Sequence, residues 1–222
     1  EIRRPEHGLF APVWQLAAAT VPDCDAATGR RTIRIAGLCG MTEQAAAEAR
    51  WARETGYHIG LLSLAAMRDA DNPALIEHCR NVAAEIPLMG FYLQPSVGGR
   101  VLSRDFWRRF VEIPNVVAIK VAPFNRYQTQ DVIRAVAEEE RAGEIALYTG
   151  NDDHIVLDLL TEYEVATTAS RIGVRFAGGL RGHWACWTRR AVELLERCRT
   201  MRGGAAMSPE WLTLAEQVTD CN

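Results

Sequence analysis

Apolar residues along the chain fall into short continuous runs, and between the runs they recur at helical spacing. The runs at 32–38, 58–64, 88–93, 116–122, 144–149 and 173–179 predict strands. Helices are predicted at 42–54, 73–86, 103–113, 128–141, 152–163 and 183–199. Three carry start signals: Thr42, the Asn72-Pro73 pair and Ser103. A helix over 10–21 precedes the first strand, 23–31 reads as a loop, and Ser208–Asp220 closes the chain as a last helical piece. The strand starts lie 26, 30, 28, 28 and 29 residues apart. Strands that are apolar on both faces and return at an even βα period read as a parallel sheet.

Eight such units closed into a ring make a (β/α)8 TIM barrel, and the expected fold class is therefore α/β, of that barrel type. A doubly wound open sheet is the competing architecture, but no glycine-rich phosphate loop follows the first strand. Six strands do not close an eight-strand ring. The expectation is that the first two strands are absent from this chain, making the run at 116–122 the sixth strand of eight. Residues 1–200 are then one barrel domain, and 201–222 begin a C-terminal helical extension.

Composition narrows the function class. A net charge of −3 over 222 residues gives no electrostatic footprint for nucleic acid or anionic membrane, and no apolar run is long enough to span a bilayer. Cys24, Cys39, Cys79, Cys186, Cys198 and Cys221 are scattered without a Cys-x-x-Cys pair. That pattern favours reduced thiols and a cytoplasmic protein over a disulfide framework or a zinc site.

Of the 25 basic side chains 24 are arginine, and Lys120 is the single lysine. It stands inside the apolar run Val116–Ala122, where an unpaired cation is costly. An ammonium can lose its proton when desolvated, and the free amine attacks a carbonyl to form a Schiff base. A guanidinium cannot deprotonate and so cannot take this role. The competing reading is a lysine that snorkels from a strand end or pairs with an acid.

Around Lys120 the chain resembles the dihydrodipicolinate synthase / N-acetylneuraminate lyase family of Schiff-base aldolases, from about Ile35 to about Val192. The resemblance rests on Phe91-Tyr92-Leu93-Gln94-Pro95, on Val117-Ala118-Ile119-Lys120 and on the turn Gly150-Asn151-Asp152-Asp153, in family order on consecutive strands. It implies that Lys120 forms an iminium with a 2-oxo acid such as pyruvate, and that Tyr92, 28 positions earlier, shuttles the proton. It also implies that Gly150, Asn151 and Asp152 meet the substrate. Gly99 either lets the backbone approach the substrate or makes a tight turn. The competing readings are a core role for Tyr92, and helix capping for the two aspartates.

No metal or organic cofactor is expected of such chemistry. The implied partners are a 2-oxo acid and an aldehyde, with no nucleic acid and no membrane, in a homo-oligomer that the resemblance makes a tetramer. Departures from the family pattern are Val97, where the synthases carry a carboxylate-binding arginine, and Ala65-Ala66 in place of an aromatic pair. The expected function is aldol cleavage or condensation. The alternatives are a dehydratase of 2-keto-3-deoxy sugar acids using the same lysine, and a non-catalytic metabolite-binding barrel. Arg126, just past the lysine strand, could bind a carboxylate or be a solvated loop cation.

Overall fold

The computed structural model describes residues 2–180, 188–202 and 208–221. Helix α1 (Phe10–Thr28) leads into β1 (Ile35–Leu38), α2 (Thr42–Glu54), β2 (Ile59–Leu62), α3 (Asn72–Ala83), β3 (Leu88–Leu93), α4 (Arg104–Val111) and β4 (Val116–Ala122). Then come α5 (Arg126–Glu138), β5 (Ala146–Thr149), α6 (Ile155–Leu160), β6 (Glu162–Ala166), β7 (Arg171–Gly179), α7 (Thr188–Met201) and α8 (Pro209–Asp220). The sheet order is β1-β2-β3-β4-β5-β7-β6. Strands β1 to β5 and β7 are parallel, and β6 lies antiparallel on β7. This is the βα progression of a (β/α)8 barrel drawn as an open arc, with β1 and β6 at its edges.

The two faces of the arc differ. One is sealed under helices: Ala36, Leu38, Leu62, Tyr92, Ile119, Val121, Leu147 and Phe176 are all buried there. Their strand neighbours Phe91, Leu93, Lys120 and Tyr148 alternate onto the other face and are half-buried. The sealing of the outer face follows from sequence period. In α4, Phe106, Trp107, Phe110 and Val111 turn inward while Arg104, Arg108 and Arg109 turn out. Those arginines meet Glu138, Glu139 and Asp105 in exposed ion pairs. Gly90 makes room for this helix, since a Cβ there would lie 2.7 Å from the Phe110 ring.

Three expectations need correction. The helix predicted over 152–163 is only α6, and residues 162–166 instead form β6. Tyr163 and Val165 alternate with glutamates, and Glu162 and Glu164 pair with Arg175 and Arg171 across the hairpin. The loop predicted at 23–31 is mostly helix: α1 continues through Pro22 and ends at Gly29, whose left-handed backbone donates its N–H to the Asp25 carbonyl. Thr42 does not cap α2. Met41 occupies that position, and the Thr42 hydroxyl bonds the buried His78 ring at 2.9 Å. Ser103 caps α4 as expected, while α3 is capped by Asp71.

The start of the predicted helix 183–199, with His183, Trp184 and Trp187, lies outside the described residues. Among the described residues no helix is long and apolar enough to cross a membrane. The five described cysteines are free.

Candidate active site

Lys120 sits near the carboxyl end of β4, on the half-open face. In the parallel register its partner on β3 is Phe91 and its partner on β5 is Tyr148. Residues paired across adjacent strands share a face and a height, so an aromatic residue flanks the lysine on either side. The amine lies 4.7 Å from the Phe91 ring centroid. A Cβ at Gly150 would come within 3.1 Å of Lys120 Cε, so the absence of a side chain there leaves room for the lysine stem. Burial pulls the Lys120 amine below its ordinary pKa, while the Asp152 carboxylate pulls it back up. Thus Gly150 and Asp152 stand beside Lys120.

Tyr92 does not join them. Its register partner is Val121, and its side chain is buried on the sealed face. There its hydroxyl donates to the Leu102 carbonyl at 3.1 Å, accepts from the Leu102 N–H at 3.2 Å, and its ring packs on Trp107. Burial raises the phenol's pKa further. A single residue of register separates this placement from the one expected of a proton shuttle. At the start of β4, Leu88 pairs with Val116, an offset of 28 that would bring Tyr92 beside Lys120. The next pair is Met89 with Ala118, so Val117 is a bulge, and beyond it every β3 side chain meets β4 one residue later.

Asn151 is also turned from the open face. It is buried, its Oδ1 accepts from the Phe124 N–H at 3.0 Å, and its Nδ2 donates to the Thr129 hydroxyl and to Asp158. Its side-chain amide is engaged within the fold. It holds the loop after β4, where Phe124 adopts a left-handed backbone with φ of 52°. Gly99 is the tight-turn reading: a Cβ there would lie 1.9 Å from the Leu93 carbonyl oxygen. It closes the turn beyond β3 and lines a small cavity with Ser63, Phe91 and Arg100.

No family model matches the chain. A 4-hydroxy-tetrahydrodipicolinate synthase from Azoarcus sp. (strain BH72) is 33% identical over 129 residues, covering 57% of this chain and 42% of that protein. Over that stretch the chain is similar to a dihydrodipicolinate synthase. It spans less than half the length of that curated relative.

Solved dihydrodipicolinate synthases share its fold. The chloride-inhibited enzyme from Acinetobacter baumannii, complexed with pyruvate, superposes with a TM-score of 0.68 at 19% identity, over 94% of this chain and 64% of that one. The enzyme from Bacteroides thetaiotaomicron gives 0.66 at 14% identity, over 92% and 62%. PhdJ bound to a substrate intermediate gives 0.65 at 19% identity, over 93% and 57%.

Behind the Gly150 turn lies a cluster that sequence reading missed. Asp158 of α6 is fully buried and accepts from four donors: Arg126 at 2.8 Å, the Tyr163 hydroxyl at 2.7 Å, the Thr149 hydroxyl at 2.6 Å and Asn151 Nδ2 at 3.3 Å. Arg126 is thus bound within the fold rather than left as a solvated cation. It is the counter-ion of this carboxylate. The cluster ties the end of β5, the 150–152 turn, the start of α5 and the β6 hairpin into one unit behind Lys120. Only a charge placed mid-helix between apolar residues, Leu157-Asp158-Leu159, hinted at it in the sequence.

Proposed function

We propose that this chain carries the Schiff-base lysine of a 2-oxo-acid aldolase or lyase, with Lys120 as the nucleophile. The observation that carries the reading is the setting of the sole lysine. Its amine is held below its ordinary pKa by burial, on the half-open face at the carboxyl ends of the strands, where barrel enzymes assemble their sites. The amine adds to the ketone carbon of a 2-oxo acid; the C–N bond forms, the carbonyl oxygen leaves as water, and an iminium results. That iminium accepts the electron pair released when a C3–C4 bond breaks, or supplies an enamine for the reverse addition. Loss of water from a 3-deoxy sugar acid can run through the same iminium, and a product assay separates the two reactions. A synthase of the same fold has been solved with pyruvate, which makes pyruvate the first substrate to try. Oligomeric assembly is proposed with the reading, and a monomeric synthase variant of the same fold sets the alternative.

The test is reductive trapping. The protein is incubated with pyruvate and borohydride, digested with trypsin and examined by mass spectrometry. Because Lys120 is the sole lysine, an adduct blocks cleavage after it and yields a peptide running from Phe110 to Arg126. The expected result is that peptide, carrying a reduced pyruvyl group and absent without reductant. Separate unmodified peptides with pyruvate and with longer 2-oxo acids would overturn the reading and favour a binding barrel.

Asp152 supplies a second prediction. Its carboxylate raises the pKa of Lys120 against the effect of burial. In Asp152→Asn burial acts unopposed, so the free amine is present at lower pH. The pH midpoint of the trapping rate is expected to move down, and an unmoved midpoint would show that Asp152 does not act on the amine.

A further inference from the structure

We infer that the Phe91 ring is the cation-binding wall of the Lys120 site, holding the ammonium of the free protein and then the iminium formed on the same nitrogen. The iminium role rests on the Schiff-base reading above.

The backbone sets this placement. Leu88 pairs with Val116, and that offset carried forward would set Phe91 beside Ile119. The extra residue Val117 moves the pairing on by one, and Phe91 meets Lys120 instead. The amine then stands over the face of the ring, 4.7 Å from its centroid. A cation within about 6 Å of a ring centroid is attracted by the negative face of the ring, the more so when water is partly excluded. Both side chains are half-buried. Gly150 clears the path of the stem, since a Cβ there would come within 3.1 Å of Lys120 Cε.

The other groups around the amine leave this role to the ring. Tyr148 is the register partner on β5, and its ring lies against Gly178, 3.2 Å from where a Cβ would stand. Arg100 shares a small cavity with Phe91, but its guanidinium donates to the Met67 and Ala70 carbonyls. Asp152 favours the charged amine as the ring does. A phenyl ring carries no proton, however, so its pull on a cation is the same at every pH.

A distinct pH signature follows. Starting from the ammonium, R–NH3+ and the ketone give the iminium and one water, with no proton taken up. One cation replaces another over the ring, and the ring leaves that equilibrium unchanged. Starting from the free amine, the same reaction takes one proton from solution and creates a cation over the ring. Phe91 therefore favours iminium formation only above the ionisation midpoint of the amine. A ring that merely packed would act equally at every pH.

The test compares wild type with Phe91→Leu, which keeps an apolar side chain and removes the aromatic face, and with Phe91→Tyr, which keeps the face. Acetic anhydride acylates only the free amine, and the pH profile of its rate is read from the acetylated peptide running from Phe110 to Arg126. The midpoint is expected to fall by about 0.5–1 pH unit in Phe91→Leu and to stay close to wild type in Phe91→Tyr. The pyruvate concentration that half-saturates trapping by cyanoborohydride is then measured well above and well below the midpoint. In Phe91→Leu it is expected to rise by the matching factor of about 3–10 above the midpoint and not to change below it. An unmoved midpoint in Phe91→Leu, a Phe91→Tyr midpoint that falls as far, or a half-saturation changed equally at both pH values overturns the role of the ring and leaves the Schiff base standing. Absence of the wild-type adduct overturns the Schiff-base reading, and the iminium role of Phe91 with it.

Discussion

Lys120→Arg is expected to reduce reductive trapping of pyruvate to the level of a blank. Arginine preserves a cation of similar reach on the same strand, so loss of the adduct cannot be ascribed to loss of charge. The difference is that a guanidinium stays protonated and offers no lone pair to a carbonyl. Because the chain holds no other lysine, no second lysine can rescue the variant. Trapping that survived in Lys120→Arg would identify another nucleophile and end the proposal.

Lys120→Met separates function from stability. Burial lowers the folded-state pKa of Lys120 below its ordinary 10.5. Between the folded and unfolded pKa values the unfolded chain binds more protons, so wild-type stability rises as pH increases through that window. Below the folded pKa the buried ammonium is a cost to the fold. Methionine removes it, and the variant is expected to be more stable at neutral pH by about 1 kcal/mol, with that pH dependence gone. Urea unfolding at neutral and alkaline pH reads both effects.

Asp158→Ala carries the largest expected stability loss. The carboxylate is fully buried and is the common acceptor for Arg126, Tyr163, Thr149 and Asn151. Removing it leaves a partly buried guanidinium without its counter-ion, takes the acceptor from the Tyr163 and Thr149 hydroxyls, and leaves Asn151 Nδ2 with Thr129 alone. Breaking a buried pair in this way costs about 3–5 kcal/mol, a large share of the roughly 5–15 kcal/mol that holds a domain folded. Arg171→Ala is the comparison: its pair with Glu164 is exposed on both sides and should cost less than about 1 kcal/mol. Urea midpoints that agreed between the two variants would refute the structural role given to Asp158.

The alternation of apolar runs with helical periodicity located the six parallel strands to within a few residues, because burial on both faces leaves a strong signal. The β6 hairpin was not legible. Residues 152–163 have enough helical character to continue α6, and the strand preference of Tyr163 and Val165 shows only once β7 offers an edge with arginines opposite the glutamates. Lys120 was legible because its residue type is unique in the chain. The face that Tyr92 takes was not legible for a different reason. A spacing of 28 residues fixes which strand ends are neighbours, but a one-residue bulge decides which face each side chain takes, and Val117 carries no mark of being extra. Asn151 is similar: its place in the turn was legible, but its partners come from α5 and α6.

The scarcity of lysine makes the protein addressable by reagents as well as by substrates. Mild reductive methylation with isotope-labelled formaldehyde can mark no amine but Lys120 and the chain's own α-amino group. Dimethylation keeps the nitrogen basic, so the resonance of its methyl carbons would follow the ionisation of Lys120 through a pH titration. A single spectrum series would then read the balance between burial and Asp152 with no substrate present, and a folded reporter would be built into every variant that retains the lysine.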